Sequence, residues 1–202
     1  MELTRRHFLG AGSMAVVGSL AGCLGTGIFG GSETLPAPEK GDPDAPVVLE
    51  SFEDFTCKYC RLFALEILPE IESKYVDSGS VRFVRHDYPF LDPEWSFKAA
   101  NAARTVQNAR GDEAFFAYAD SLYEHFDSYS LDLFGTLAES VDVDPETVKT
   151  AASEGTYRST LEAELDRGEE LAIQATPTVF VNGEKAKSPR LSHVTAAIES
   201  HL

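Results

Sequence analysis

The sequence is poor in cysteine and in basic residues. Its three cysteines among 202 residues are too few for a small scaffold held together by disulfides. Seventeen Lys and Arg face 33 Asp and Glu, for a net charge of -16, which argues against binding to a nucleic-acid backbone. Apolar residues make up 43% and aromatic residues 10%, enough for the core of one domain.

No apolar run near the N-terminus is long enough to hold as a membrane-spanning helix of about 20 residues. The run at residues 9–22 is short and glycine-rich, and it follows Arg5 and Arg6. A basic start and a short apolar stretch predict an export signal over residues 1–22, and the paired arginines resemble a twin-arginine signal. Residues 20–23 resemble a lipobox, which predicts Cys23 as a lipidated residue. The alternative is an uncleaved anchor, and both place the protein outside the cytoplasmic membrane.

Residues 23–45 are rich in glycine and proline and lack periodicity, so they are predicted to be a flexible tether. Residues 25–30 match the pattern G-x-G-x-x-G, but no strand precedes them and no helix follows, so we expect no dinucleotide site. The large acidic excess suggests a halophilic source, where salt screens the repulsion. An ordinary acidic exported protein is the alternative.

From residue 46 onward, strand and helix patterns alternate. An apolar strand is predicted at 47–52, a helix from Cys57 that is kinked at Pro69, and a second strand at 81–85. Helical patterns then fill residues 95–171 almost throughout. A third strand is predicted at 179–181, with a hairpin turn at Asn182-Gly183 and a last helix from Leu191.

Cys57 and Cys60 are separated by two residues at the predicted junction of a strand and a helix. The helix N-terminus favours a thiolate at Cys57, and Lys58 adds a positive charge, whereas Glu53 and Asp54 oppose it. Cys60 lies one turn further in and suits a resolving role. A structural disulfide and a metal site are alternatives, but two further ligands at a suitable spacing are missing, so no metal and no cofactor is expected.

The segment F-E-D-F-T-C-K-Y-C at residues 52–60 resembles the active-site segment of DsbA-like thiol–disulfide oxidoreductases. Residues 41–46 and the T-P-T-V-F-V-N-G segment at 176–183 are similar to two further segments of that family. The resemblance implies an α/β thioredoxin-like fold over residues 46–202, with a central mixed β-sheet and a helical subdomain inserted at 95–171. It also implies that Thr176 and Pro177 bind an extended substrate, with a cis peptide bond before the proline.

The chain departs from that family at two positions. Lys58 stands where proline is usual, so the dipeptide Lys58-Tyr59, which tunes the redox potential, is unusual. The family often has a buried glutamate six residues before the first cysteine, but this position is Ser51. Glu50, one residue earlier, is expected to face the other way.

These observations predict an extracytoplasmic oxidoreductase that exchanges a Cys57–Cys60 disulfide with the cysteines of exported proteins, most simply as a disulfide donor. The resemblance implies a quinone-linked membrane protein as the partner for reoxidation. The alternatives are a disulfide reductase or isomerase, or a non-catalytic lipid-anchored module that binds clients or metal.

Three groups of side chains receive structural interpretations. Residues 86–89 are interpreted as the start of a loop. A set of aromatic residues is expected in the core, or else along a substrate groove: Trp95, Phe115, Phe116, Tyr118 and Phe126. A set of acidic residues is expected to form a solvated helix face: Glu162, Glu164, Asp166, Glu169 and Glu170.

Overall fold

The computed structural model describes residues 34–202, which contain a five-stranded mixed β-sheet with helices packed against it. The strands are β1 (Glu39–Lys40), β2 (Val47–Glu53), β3 (Val81–Asp87), β4 (Thr178–Val181) and β5 (Glu184–Lys185). The predicted signal at 1–22, Cys23 and the glycine motif at 25–30 lie outside the described residues.

The sheet has the strand order β1-β3-β2-β4-β5. β2 and β3 run parallel, in a register that pairs Glu53 with Asp87, and the other three neighbouring pairs are antiparallel. β3 is longer than predicted. His86 and Asp87, interpreted as the start of a loop, are its buried last residues, so that interpretation is wrong for both.

Eight α-helical segments complete the described part of the chain. They are α1 (Lys58–Leu62), α2 (Leu68–Ile71), α3 (Trp95–Arg110), α4 (Asp112–Glu124), α5 (Leu131–Glu139), α6 (Pro145–Glu154), α7 (Arg158–Glu170) and α8 (Leu191–Glu199). Helices α3 to α7 lie between β3 and β4, so the helical insertion predicted at 95–171 is present. Asp144 caps α6 with its side chain, as the Asp-Pro pair predicts.

The helix that follows Cys57 alternates between α and π geometry. π-helical turns at Phe63–Ile67 and Glu72–Val76 flank α2, which has Pro69 in its first turn. Proline has no N–H to donate to the carbonyl four residues earlier, and a π-turn is one way to accommodate that loss. The irregularity expected at Pro69 therefore takes the form of a π-turn just before it.

The N-terminal boundary of the domain differs from the predicted one. The amide of Leu35 donates to Thr160 Oγ1 over 3.1 Å, and the carbonyl of Pro36 accepts from Arg104 Nη1 over 2.8 Å. β1 then pairs with β3. Residues 35–40, predicted as part of the tether, are thus part of the fold, because their backbone groups are bonded to residues more than 40 positions away.

An ion-pair cluster of Arg85, Asp87, Arg104 and Glu164 connects the sheet to the insertion. The Asp87 carboxylate accepts hydrogen bonds from Arg85 and from Arg104 Nε, the latter over 2.7 Å. Glu164 Oε2 accepts from Arg104 Nη2 and from the Asp87 amide, each over 2.7 Å. Glu164 is buried, so its assignment to the solvated face is wrong, whereas the other four acidic residues of that face are exposed.

The core prediction holds for most of the aromatic residues. Phe115, Phe116 and Tyr118 are buried, and Trp95 packs against the core from a half-buried position. Phe126 is half-buried in the connection between α4 and α5, beside Lys58 and Arg61. Among the described residues, no helix is both long and apolar enough to cross a membrane.

Candidate active site

Cys57 lies at the N-terminus of α1, between the sheet and the helix. It has extended backbone angles, its amide donates to the carbonyl of Asp54 over 3.0 Å, and its own carbonyl accepts from the amide of Arg61. Cys60 follows in the first turn of α1 and is fully buried, whereas Cys57 retains 5% exposure. The two cysteines are thus an accessible thiol and a shielded one.

The Thr176–Pro177 loop lies against Cys57. The peptide bond between Thr176 and Pro177 is cis, as the resemblance implied. The Cys57 thiol donates to the carbonyl of Thr176 over 3.2 Å, across a separation of 119 residues in sequence. The structure therefore brings together the two segments that carry the predicted site, although in the sequence one precedes the helical insertion and the other follows it.

The two thiols have opposite pKa shifts. A hydrogen bond from Cys60 is the largest cause that lowers the pKa of Cys57 to about 6, with help from Thr176 and against the effect of burial. Burial is the largest cause that raises the pKa of Cys60, followed by the hydrogen bond to Cys57 and the charge of Glu53. Cys57 is therefore the thiolate at neutral pH, and Cys60 stays protonated.

Lys58 and Tyr59 are exposed beside the two cysteines. The Lys58 ammonium lies 5.0 Å from the centre of the Tyr59 ring, and Tyr59 is 59% exposed. The largest cause of the low pKa of Cys57 is a hydrogen bond from the neighbouring thiol, whereas burial raises the pKa. A tuning role for Lys58 and Tyr59 stays a prediction.

Asp54 organises the loops around the site. Its carboxylate accepts hydrogen bonds from the amides of Phe90 and Leu91, each over 2.9 Å, and from the amide of Thr56 over 2.8 Å. The Ser96 hydroxyl donates to the same carboxylate. The sequence interpretation gave Asp54 only an electrostatic effect on Cys57, but its oxygens are occupied in holding the loop after β3.

A mostly apolar groove of about 360 Å³ runs beside Cys57. Phe90 and Leu91 form one wall, and Tyr59 and Thr176 are part of the remainder. The side chains of Phe90, Leu91 and Tyr59 are large and exposed, which is unusual for apolar residues. Sequence analysis missed Phe90 and Leu91, and the aromatic residues of the insertion that it considered for such a groove do not line it.

Glu53 is a further residue whose contacts at the site were not predicted from the sequence. It is 1% exposed at the end of β2, where it accepts hydrogen bonds from Ser51 Oγ over 2.6 Å and from Tyr123 Oη over 2.9 Å. Glu50 faces the opposite side of the sheet, as expected, and contacts His86 and Arg167. The alternation of side chains along a strand could have placed Ser51 and Glu53 on one face.

The described residues 34–202 contain no group of three His, Cys, Asp or Glu side chains placed to share a metal ion. The chemistry available at this end of the sheet is that of the two thiols. A nucleophilic thiolate, a shielded thiol beside it and a backbone strand edge at the cis-proline loop define a thioredoxin-fold thiol–disulfide exchange site.

Comparisons with known proteins agree with that class. The chain belongs to the thioredoxin family, whose sequence model, described as "Thioredoxin", matches residues 34–200. It is 32% identical over 157 residues to disulfide bond formation protein D of Bacillus subtilis, covering 75% of this chain and 70% of that protein.

Solved structures give the same result. Oxidised BdbD from Bacillus subtilis superposes with a TM-score of 0.77 at 30% identity, covering 82% of this chain and 92% of that one. DsbA from Chlamydia trachomatis superposes with a TM-score of 0.74, covering 84% and 93%, and at 22% identity it supports the fold alone. The predicted fold class is confirmed, and the protein is a DsbA-like protein thiol–disulfide oxidoreductase.

Proposed function

We propose that this oxidoreductase is a disulfide donor that acts on cysteine-containing exported proteins outside the cytoplasmic membrane. The observation that carries the proposal is the opposite pKa shift of the two thiols, with Cys57 at about 6 and Cys60 raised. A stable thiolate lowers the free energy of the reduced form, and a pair whose reduced form is stabilised is a stronger oxidant.

In the donor direction, a client thiolate attacks Cys57 Sγ of the Cys57–Cys60 disulfide. The S–S bond breaks, a mixed disulfide forms at Cys57, and Cys60 leaves as a thiolate that takes up a proton. A second client thiolate then attacks the client sulfur of the mixed disulfide and releases Cys57 as a thiolate. The client loses two electrons and gains a disulfide, and the protein ends with two reduced cysteines.

The loop at Thr176 and Pro177 is proposed to hold the client. The Thr176 carbonyl already lies within hydrogen-bond distance of Cys57, so an extended client segment paired with this backbone would present its cysteine to Cys57. The apolar groove at Phe90 and Leu91 would accept a bulky client side chain next to that cysteine. Lys58 and Tyr59, which are exposed beside the two cysteines, are proposed to tune the reduction potential of the Cys57–Cys60 pair.

The reduction potential of the Cys57–Cys60 pair tests the donor direction. It is measured by equilibrating the full chain in glutathione buffers at high salt, with Cys57→Ser as the variant that shows no transition. A value of about -120 mV would support a donor, whereas a value of about -270 mV would mark a reductant and contradict the proposal.

The N-terminal residues supply the proposed location. Residues 1–22 are proposed to be a twin-arginine and lipoprotein signal, Cys23 to carry the lipid and residues 24–33 to be the tether. The intact mass of protein extracted from membranes tests this, with Cys23→Ala as the control that loses the lipid mass. Unlipidated protein that retains residues 1–22 would contradict it.

Reoxidation requires an electron acceptor, and we propose a quinone-linked membrane protein for this role. The anchor would keep the oxidoreductase at the surface where such a partner lies. Membranes incubated with the reduced protein should oxidise Cys57 and Cys60, and removal of quinone by extraction should stop the oxidation.

A further inference from the structure

Glu53 is a buried acid beside the shielded thiol, and the exchange reaction as written above does not use it. The sulfur of Cys60 accepts from the amide of Asp54 over 3.5 Å, so it lies against the peptide that joins Glu53 to Asp54. Both Glu53 and Cys60 are closed off from water, with exposures of 1% and 0%. A charge at Glu53 therefore acts on Cys60 through a medium with little screening.

The charge of Glu53 is only partly compensated. Arg85 Nε is 3.5 Å from Glu53 Oε2 without hydrogen-bonding it, because the guanidinium is directed at Asp87 instead. Two arginines, Arg85 and Arg104, serve three carboxylates in this region, those of Glu53, Asp87 and Glu164.

The shortest contacts of the Glu53 carboxylate are with neutral hydroxyls. Ser51 on its own strand and Tyr123 on α4 both donate to it. Hydroxyl donors hold a carboxylate in place but do not cancel its charge, so a negative potential remains at Cys60.

We propose that Glu53 holds Cys60 in its protonated form and thereby prevents Cys60 from resolving the mixed disulfide between Cys57 and a client before the client's second thiol does so. This rests on the donor function proposed above and names a control on the same site. Glu53 is a positioning residue in this role, since it acts on the client through Cys60.

The mixed disulfide has two fates. If Cys60 attacks Cys57 as a thiolate, the Cys57–Cys60 bond re-forms, the bond to the client breaks, and the client leaves reduced. If the client's second thiolate attacks, the client leaves oxidised. The thiolate is the attacking species, so a protonated Cys60 slows the first path and leaves the second untouched. The expected result is more oxidised client for each encounter.

The release of a reduced client through attack by Cys60 can be measured by itself with a client that has one thiol. A monothiol peptide, activated as its disulfide with thionitrobenzoate, is added to the reduced full chain. Cys57 attacks and releases thionitrobenzoate, which leaves the peptide bound to Cys57. Attack by Cys60 then releases the peptide thiol, and quenched-flow chromatography gives the rate of that release.

Glu53→Gln is expected to accelerate this release and to lower the pH at which Cys60 ionises, as monitored by thiolate absorbance. Each tenfold gain in thiolate is partly offset by lower nucleophilicity, so the rate should rise about threefold for each pH unit of the shift. Glu53→Asp retains the charge and should remain near wild type. Glu50→Gln makes the same change on the opposite face of β2 and should alter neither quantity.

Three outcomes would overturn the proposal. They are an unchanged release rate in Glu53→Gln, a slower one, which would make Glu53 a proton acceptor for Cys60, and an equal shift in Glu50→Gln. The reduction potential of wild-type protein reports separately on the donor function. A reductant's potential combined with the expected shifts would refute the donor function but leave the control of Cys60 by Glu53 in place.

Discussion

Glu53 and Asp87 are register partners at the ends of two parallel strands, and both are buried acids, yet they lie in different surroundings. Asp87 belongs to the ion-pair cluster, where Arg85 and Arg104 lower its pKa against the effect of burial. Glu53 belongs to the thiol end of the sheet, where its hydrogen-bond partners are hydroxyls and where the Cys60 sulfur accepts from the amide of the next residue, Asp54. Neighbouring positions with the same burial thus carry different amounts of compensating charge.

These different surroundings imply that one carboxylate stabilises the fold and the other influences thiol chemistry. A buried carboxylate with two arginine partners connects the sheet to the insertion, and its loss leaves uncompensated charges. A buried carboxylate whose nearest cation, Arg85 Nε at 3.5 Å, does not hydrogen-bond it keeps a potential that can act on a neighbouring titratable group. We therefore expect changes in the ion-pair cluster to alter folding and changes at the thiol end to alter exchange.

The largest effect is expected for Cys57→Ser at the thiol end. The variant lacks the only sulfur of the pair that clients can reach, so the oxidation of a reduced client protein should fall to background. Asp87→Asn should still oxidise clients for each folded molecule, because both cysteines and their contacts remain, and any change should be limited to the effect of Arg85, freed from Asp87, on Glu53. Client oxidation at matched concentrations of folded protein measures both. Substantial activity in Cys57→Ser would contradict the assigned site.

Asp87→Asn should instead reduce the free energy of unfolding by about 3–5 kcal/mol, since it leaves Arg85 and Arg104 buried without full compensation. Urea unfolding of the reduced protein at constant salt measures it. Arg158→Leu is the control, because it removes an exposed ion pair worth about 0–1 kcal/mol. A loss of the same size in both variants would show that the cluster is no more important than a surface pair.

The sequence predicted the thiol end much better than the ion-pair cluster, for a physical reason. Cys57, Cys60, Thr176 and Pro177 belong to short segments whose local pattern is specific. Glu164 lies in an acidic stretch of α7 that looks solvated, and only its contacts with Arg104 and Asp87, 60 and 77 residues away, make it buried. Contacts of that separation leave no trace in local periodicity.

Contacts between residues far apart in the sequence also decide which residues form the edges of the fold. Residues 34–45 have the composition of a tether, but the carbonyl of Pro36 meets Arg104 and β1 pairs with β3. Glu53 was recognised as a charge, yet its partner Tyr123 comes from the helical insertion, 70 residues later. Phe90 and Leu91 are held beside the cysteines because their amides donate to Asp54, 36 and 37 residues earlier, a contact that local sequence pattern does not indicate.

Glu53→Gln should reduce stability less than Asp87→Asn, by about 1.5–3 kcal/mol, because the amide oxygen can still accept one of the two hydrogen bonds that Ser51 and Tyr123 donate to the carboxylate. The same urea titration of the reduced protein measures it, with Glu50→Gln as the matched variant on the other face of β2. If Glu53→Gln proved as destabilising as Asp87→Asn, the two acids would be equivalent structural residues, and the comparison would fail.

The smallest effect is expected at His86, which lies at the edge of the cluster away from the cysteines. Its Nε2 is 3.1 Å from Glu50 Oε1 and its Nδ1 is 3.5 Å from Glu164 Oε1, and Arg167 also contacts Glu50. Burial is the largest single influence and lowers the pKa of His86, but the two glutamates together outweigh it, so the pKa is raised.

The stabilisation from His86 therefore has a definite pH dependence. Because the folded-state pKa is raised, the contribution is fully present below the pKa of the unfolded state, about 6.5, and is lost as the pH rises through the folded value. His86→Gln should reduce stability by about 1 kcal/mol in acid and by less in alkali, as measured by urea unfolding across pH. A loss in His86→Gln that is independent of pH would mean that the imidazole is neutral between its two glutamates, and that the cluster ends at Glu164.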